Sequence, residues 1–297
     1  MESKMKLIIL GAGKVLEDIL CILHAHSSRF EIVAVGVDHS NFESGKPLIA
    51  FANHHKIPVI AHYSEVEQFQ FDAIFMLSYP PLISQKYLHK YLFINTHYAP
   101  LPRYRGFHGF VWSIINGEEK TGITIHQADA GIDSGPIFHQ YLTTIELADD
   151  ILTIQSRLEK YITENIATIL SEIHREKKSI PQREEDAIYV CRRRQEDGKI
   201  DWNWNAERVF NHIRALTPPY TLGAFTYYKG EKLVIKKASP WKSPSYFSIT
   251  GQVVAKIPEQ GVLIKCGNGV ILAKDVTYCG EEIRAFDFFK TVGFRLG

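Results

Sequence analysis

Five short runs near the start of the chain, residues 7–10, 31–37, 57–60, 71–77 and 92–95, are rich in apolar side chains, several of them apolar on both faces. Stretches with helical character, 15–26, 46–55 and roughly 84–91, separate them. A strand that is apolar on both faces must be covered on both faces. Strands of that kind alternating with helices predict a mostly parallel α/β sheet with helices on either side. Residues 121–127 and 137–144 read as further strands near the edge of that sheet. Ile151, Ile154, Leu158, Ile162, Ile166, Ile169 and Ile173 then recur at three- and four-residue spacing, which predicts a long amphipathic helix. Asp149 and Asp150 place acid at its positive end.

The character changes after Ile180-Pro181. A polar stretch, 182–198, leads into a short helix at 206–216 that Pro218-Pro219 must stop. Glycine-bounded alternating runs follow at 224–228, 232–237, 251–256, 261–266 and 270–273, the pattern of a small antiparallel sheet or barrel. With 297 residues, two domains are expected. We read residues 1–190 as a catalytic domain and 191–297 as a smaller, mainly β (OB-like) domain.

Net charge is +1, so there is no electrostatic reason to expect a broad nucleic-acid surface. No apolar run approaches the ~20 residues that span a bilayer, and the opening residues do not form a signal peptide. The four cysteines (Cys21, Cys191, Cys266, Cys279) are far apart, which points to neither zinc nor a disulfide framework and suits a reducing cytoplasm.

The chemistry is concentrated between Asn95 and Asp133. Asn95, His97 and Asp133 each sit where an apolar run gives way to a polar loop, a placement that lets side chains meet in one cleft. An amide can stabilise the oxyanion of an acyl transfer. A neutral imidazole can take the proton of an attacking amine, and a carboxylate can orient that imidazole and stabilise its charged form. Taken singly, each residue is better explained as a turn or cap. Their surrounding pattern gives them more weight.

That pattern is Asn95-x-His97-x-x-x-Leu101-Pro102-x-Tyr104-Arg105-Gly106, Trp112-x-x-x-x-Gly117-Glu118, Thr121-Gly122-x-Thr124-x-His126 and Asp133-x-Gly135-Pro136-Ile137. It closely resembles the 10-formyltetrahydrofolate-dependent formyltransferases. The resemblance implies a Rossmann-like catalytic domain, 10-formyltetrahydrofolate as co-substrate, no metal, and a catalytic trio of Asn95, His97 and Asp133. It continues through Asp197-Gly198-x-Ile200-Asp201-Trp202, Asn211-x-Ile213-Arg214-Ala215-Leu216 and 223–227. That second part is similar to the branches that formylate nucleotide-linked amino sugars and initiator methionyl-tRNA. Two departures stand out: Ala99 where many relatives have Ser, and Phe107-His108-Gly109 where many have Pro after the Arg-Gly pair.

The resemblance further implies a folate pocket built from Met76, Leu77, Ser78 and Tyr79 with Ala130, Gly131 and Ile132. The residues themselves offer groups for a sugar nucleotide. Gly13 and Lys14 sit in a glycine turn after the first strand. Arg103 and Arg105 lie beside the catalytic loop, although Arg105 serves equally well as a structural pin for it. Tyr220 can stack on a base or pack in a core. Trp202 and Trp204 read as packing at a domain interface.

The tRNA enzymes resemble one another in a long basic insertion after the second strand. Here that place holds only residues 38–46, with one Lys and two acids, a poor match to a phosphate backbone. The expected function is therefore formyl transfer to the amine of a nucleotide-linked deoxyamino sugar, dTDP-linked by preference, for surface polysaccharide or O-antigen synthesis. The protein is expected to be a cytoplasmic homodimer that binds neither nucleic acid nor membrane. The alternatives are methionyl-tRNA formyltransferase and, from another class, a non-catalytic nucleotide-sugar binding module.

Overall fold

The computed structural model describes residues 3–297, so Met1 and Glu2 lie outside it. In chain order, β1 (Met5–Gly11), α1 (Lys14–Ala25), β2 (Phe30–Gly36), α2 (Phe42–His54), β3 (Val59–Ile60), β4 (Ala73–Leu77), α3 (Gln85–Leu88) and β5 (Phe93–His97) build the parallel part of one sheet. β6 (Arg105–Gly106), α4 (Gly109–Ile115), β7 (Lys120–Gln127), β8 (Ile137–Thr144), α5 (Ile151–Glu176) and β9 (Tyr189–Val190) follow. The seven-stranded order is β3-β2-β1-β4-β5-β7-β8, and β7 runs antiparallel to β5. The chain winds outward from β1 in both directions, so the order reverses beside it. In open α/β sheets the crevice at the carboxyl ends next to such a reversal is the usual ligand position.

The apolar runs are buried as expected: Leu7, Ile8, Ile9, Leu10, Ile74, Phe75, Phe93 and Ile94 are fully shielded. Gly11 ends β1 at φ +139°, and a Cβ there would meet the Leu77 carbonyl oxygen at 1.8 Å. This close approach draws the ends of β1 and β4 together. Along α5 the seven predicted isoleucine and leucine positions are all buried. Asp150 caps the helix, its Oδ1 accepting from the Leu152 and Thr153 N–H groups at 3.0 Å.

After β9, α6 (Ala206–Ala215) precedes β10 (Ala224–Tyr228), β11 (Glu231–Trp241), β12 (Val253–Ile257), β13 (Gly261–Lys265), β14 (Val270–Tyr278), β15 (Glu281–Arg284) and α7 (Ala285–Phe288). These strands form an antiparallel sheet of order β10-β11-β14-β13-β12. β15 pairs with the last residues of β14, Asp275–Tyr278, beyond the stretch that β13 covers. β11 and β14 run longer than their alternation suggested. Trp202, expected at a domain interface, is buried within this second unit, and its Nε1 donates to Thr226 Oγ1 at 3.0 Å.

The chain divides into two compact units. The first is Met1–Gly109, Gly122–Thr143 and Ser156–Val190; the second is Phe110–Thr121, Thr144–Gln155 and Cys191–Gly297. Among the described residues, no helix is long and apolar enough to cross a membrane.

Candidate active site

Strand register brings the first polar groups together. Asn95 on β5 lies opposite His126 on β7, and His97 lies opposite Thr124. Directly opposed residues on antiparallel strands share a face, so Asn95, His97 and His126 project to the same side. The loop after β7 returns Asp133 to that point. Asp133 adopts φ +50°, in the left-handed region that few non-glycine residues occupy.

Four side chains interlock there. Asn95 Nδ2 donates to Asp133 Oδ1 at 3.3 Å and lies 3.2 Å from His126 Nε2. His97 Nδ1 is 3.5 Å from Asp133 Oδ2, and His126 Nε2 is 3.4 Å from Asp133 Oδ1. Asp133 Oδ2 also accepts the Gly106 N–H at 2.9 Å. The trio named from sequence is therefore brought together, within the first unit.

Hydrogen-bond logic fixes the state of His97. Its Nε2 lies 2.8 Å from the Tyr104 carbonyl oxygen, which can only accept, so Nε2 carries the proton of the neutral ring. Nδ1 then holds the lone pair on the Asp133 side. Burial pushes the His97 pKa below the ordinary histidine value. The Asp133 charge and the Tyr104 carbonyl pull it back up, and His126 opposes them. Burial would raise the Asp133 pKa, but the bond to His126, the charges of both histidines and the Gly106 N–H together bring it down to about 2. Near neutral pH the site thus holds a carboxylate beside an imidazole kept neutral by its surroundings.

His126 was not singled out from sequence, although it stood within the quoted pattern. Its signal is positional: it is the residue opposite Asn95. Its Nδ1 faces the Gln127 carbonyl at 2.9 Å, which turns Nε2 toward Asn95 and Asp133. Thr124 anchors the loop after β5, its Oγ1 donating to the Ala99 carbonyl at 2.7 Å and accepting from Gln140 Nε2 at 3.0 Å. The two sequence departures meet here, since a Cβ on Gly109 would lie 2.5 Å from the Ala99 Cβ.

The expected binding residues have more varied placements. Arg105 is fully buried. Its NH1 donates to Glu184 at 2.8 and 3.1 Å and to the Tyr189 hydroxyl, and its Nε donates to Gln182 at 3.1 Å. Its charge is engaged by Glu184, so the structure favours the pin over the pyrophosphate ligand. Arg103 is exposed, its guanidinium 5.5 Å from the Tyr104 ring centre.

Gly13 caps α1 at φ +99° in open space. Lys14 is exposed and pairs with Glu17 and Asp18. Register puts this turn on the same sheet edge as the trio, because Gly11 pairs with Leu77 and Met76 pairs with Asn95. Met76 and Leu77 are buried, Met76 within the core. Ser78 is exposed, and the Tyr79 hydroxyl accepts from the Tyr63 N–H at 3.1 Å. Ala130, Gly131 and Ile132 form an exposed loop. Tyr220 belongs to the second unit, half-buried with its ring 5.6 Å from that of Phe110.

Two family models match this chain: formyl transferase over residues 4–170, and formyl transferase, C-terminal domain, over 192–293. The chain belongs to the formyl transferase family. Among solved structures, it resembles an N-formyltransferase from Helicobacter canadensis crystallised with folinic acid and dTDP-3-aminofucose. The identity is 22%, the TM-score 0.70, and the match covers 91% of this chain and 98% of that one. It also resembles HypX from Aquifex aeolicus (19%, TM-score 0.64, 98% of this chain), of which it spans only about half, 49%. A methionyl-tRNA formyltransferase from Clostridium thermocellum matches at 20% identity and TM-score 0.57, over 79% of this chain and 93% of that one. At such identities the likeness is one of fold. This formyl transferase carries the mostly parallel sheet and the antiparallel second sheet of its family.

Proposed function

We propose that this formyl transferase moves the formyl group of 10-formyltetrahydrofolate onto the amine of a nucleotide-linked deoxyamino sugar, dTDP-linked by preference. The observation that carries the reading is the convergence of Asn95, His97 and Asp133 at the carboxyl end of β5. Neutral His97 accepts the proton that the amine loses as it attacks the formyl carbon. Asp133 faces the imidazolium that results. One Asn95 amide hydrogen is held by Asp133, and the other can be offered to the developing oxyanion. His97 then passes that proton to the tetrahydrofolate nitrogen, which leaves as a neutral amine. The trio and His126 supply the acid–base and oxyanion groups from side chains alone.

The choice of a small acceptor rests on residues 38–46. They contain one Lys and two acids, and Lys46 is paired with Glu43 at 2.7 Å, which leaves little for a tRNA backbone. The same reading makes the protein a cytoplasmic homodimer in surface-polysaccharide or O-antigen synthesis. It also assigns Ser78, Tyr79 and 130–132 to the folate, and Gly13, Lys14 and Arg103 to the sugar nucleotide. The test is formylation of dTDP-, UDP- and GDP-linked amino sugars against methionyl-tRNA, each with 10-formyltetrahydrofolate. Turnover of a dTDP-sugar with weak salt dependence is expected. Turnover of the tRNA alone, steeply weakened by salt, would sink the small-acceptor reading.

A further inference from the structure

The polar stretch 182–198 holds a side chain whose role has not been given. Gln182 Nε2 donates to the Asp133 carbonyl at 2.8 Å and to the Gly135 carbonyl at 2.7 Å, while its Oε1 accepts from Arg105 Nε at 3.1 Å. Carbonyls only accept and a guanidinium only donates, so the orientation of this amide is fixed on both sides. Arg105 is also the residue before Gly106, whose N–H binds Asp133 Oδ2 at 2.9 Å. The contacts close a ring running from the Asp133 backbone through Gln182 and Arg105 to Gly106, and back to the Asp133 carboxylate. The segment carrying Gln182 is clamped at both ends. Ile180 exchanges two 2.8 Å backbone bonds with Ile137, and β9 pairs with β6 through Tyr189 and Val190.

We propose that Gln182 is a positioning residue for Asp133: it holds that backbone in its left-handed conformation and so keeps the carboxylate against His97. This rests on the reading of Asp133 as the partner of His97. Two donors on loop carbonyls two residues apart fix both the height and the rotation of the loop, which the single Gly106 bond does not do alone. Without them the carboxylate is free to turn toward solvent. His97 would then lose the neighbour that offsets its burial, leaving His126 and the Tyr104 carbonyl as its remaining polar surroundings.

The experiment follows the His97 imidazole by NMR in labelled protein, with its signal assigned through His97→Ala. Wild type, Gln182→Met and Asp133→Asn are titrated, and kcat and KM are measured on the same samples. Met keeps the length of Gln and removes its hydrogen bonds; Gln182→Ala is the second variant if Met prevents folding. The expected result is a His97 titration moved to lower pH by about half a unit or more in both Gln182→Met and Asp133→Asn. The kcat of Gln182→Met should fall about tenfold or more, with KM changing far less. A shift in Asp133→Asn alone, with Gln182→Met titrating and turning over like wild type, would overturn the role of Gln182 and leave the site reading standing. No shift in either variant would overturn both.

Discussion

The two units bury polar side chains in different ways. In the first, Asn95, His97, His126 and Asp133 are one another's partners at a single strand end. In the second, buried polar groups bond to backbone or in isolated pairs such as Ser113 with Thr121. Lys265 Nζ donates to the Cys266 carbonyl at 2.6 Å, Trp202 meets Thr226, and His212 sits with its Nε2 unpartnered. Both arrangements keep polar groups largely out of solvent. Only mutual pairing lets a proton gained by one group be compensated by its neighbour. Convergence, more than burial, separates a candidate active site from a structural polar core.

The sharpest way to break this contrast is to remove one histidine from each unit. His97→Ala should lower kcat by about 10²–10⁴ while the protein stays folded, the range typical of a lost general base. His212→Phe should leave kcat within about twofold, since no reacting group is assigned to it. Steady-state kinetics with circular dichroism on both variants checks this. Equal losses in the two would remove the distinction.

The next effect is on stability. Burial is the main cause that lowers the His212 pKa, to about 4, although a bond to the Gly198 backbone raises it and the charges of Arg193 and Arg208 lower it further. Below the ordinary value near 6.5 the unfolded chain binds a proton that the folded unit refuses. Stability is therefore complete above that value and falls as pH drops toward 4, by about 1.4 kcal/mol per unit and about 3 kcal/mol in all. His97 adds a dependence of the same sign in the first unit. Urea midpoints at pH 7 and pH 5 should show the fall in wild type and a shallower one in His212→Phe. An unchanged slope would mean that another group carries it.

A smaller effect tests how tightly the first unit is set. A Cβ on Gly109 would lie 2.7 Å from the Tyr104 oxygen and 3.2 Å from His97 Nε2. Gly109→Ala should displace the carbonyl that fixes the His97 proton and lower kcat by about tenfold. Normal turnover in this variant would show that the contact tolerates movement.

How far these features can be read from sequence follows their range. The strands of the first sheet, α5 and most strands of the second sheet announce themselves by periodicity, a local property. Asn95, His97 and Asp133 are legible because each interrupts an apolar run within a recognisable pattern. His126 needs the β5–β7 register, and the engaged charge of Arg105 needs Glu184, 79 residues away. Gln182 looks like part of a solvated polar stretch because two of its partners are backbone carbonyls, which leave no mark in side-chain chemistry. β6 and β9, two residues each, are too short to show any alternation.

The mildest prediction concerns the loop rather than the trio. Asp129 Oδ1 accepts the Gly131 N–H at 3.1 Å and the Ser134 hydroxyl at 2.7 Å, folding the turn that presents Ala130, Gly131 and Ile132. The brace is tight, since a Cβ on Gly131 would stand 2.0 Å from Ser134 Oγ. Asp129→Ala removes an acceptor from an exposed turn, worth about 1 kcal/mol. If 130–132 form part of the folate pocket, that loss should appear as a roughly fivefold higher KM for 10-formyltetrahydrofolate. kcat should change by less than about threefold, because the Asp133 carboxylate keeps its bond to the Gly106 N–H. A rise confined to the KM of the sugar nucleotide would reassign the loop to the acceptor. A fall in kcat alone would show that the brace reaches Asp133, and that the convergent site in this unit extends one turn further than its four side chains.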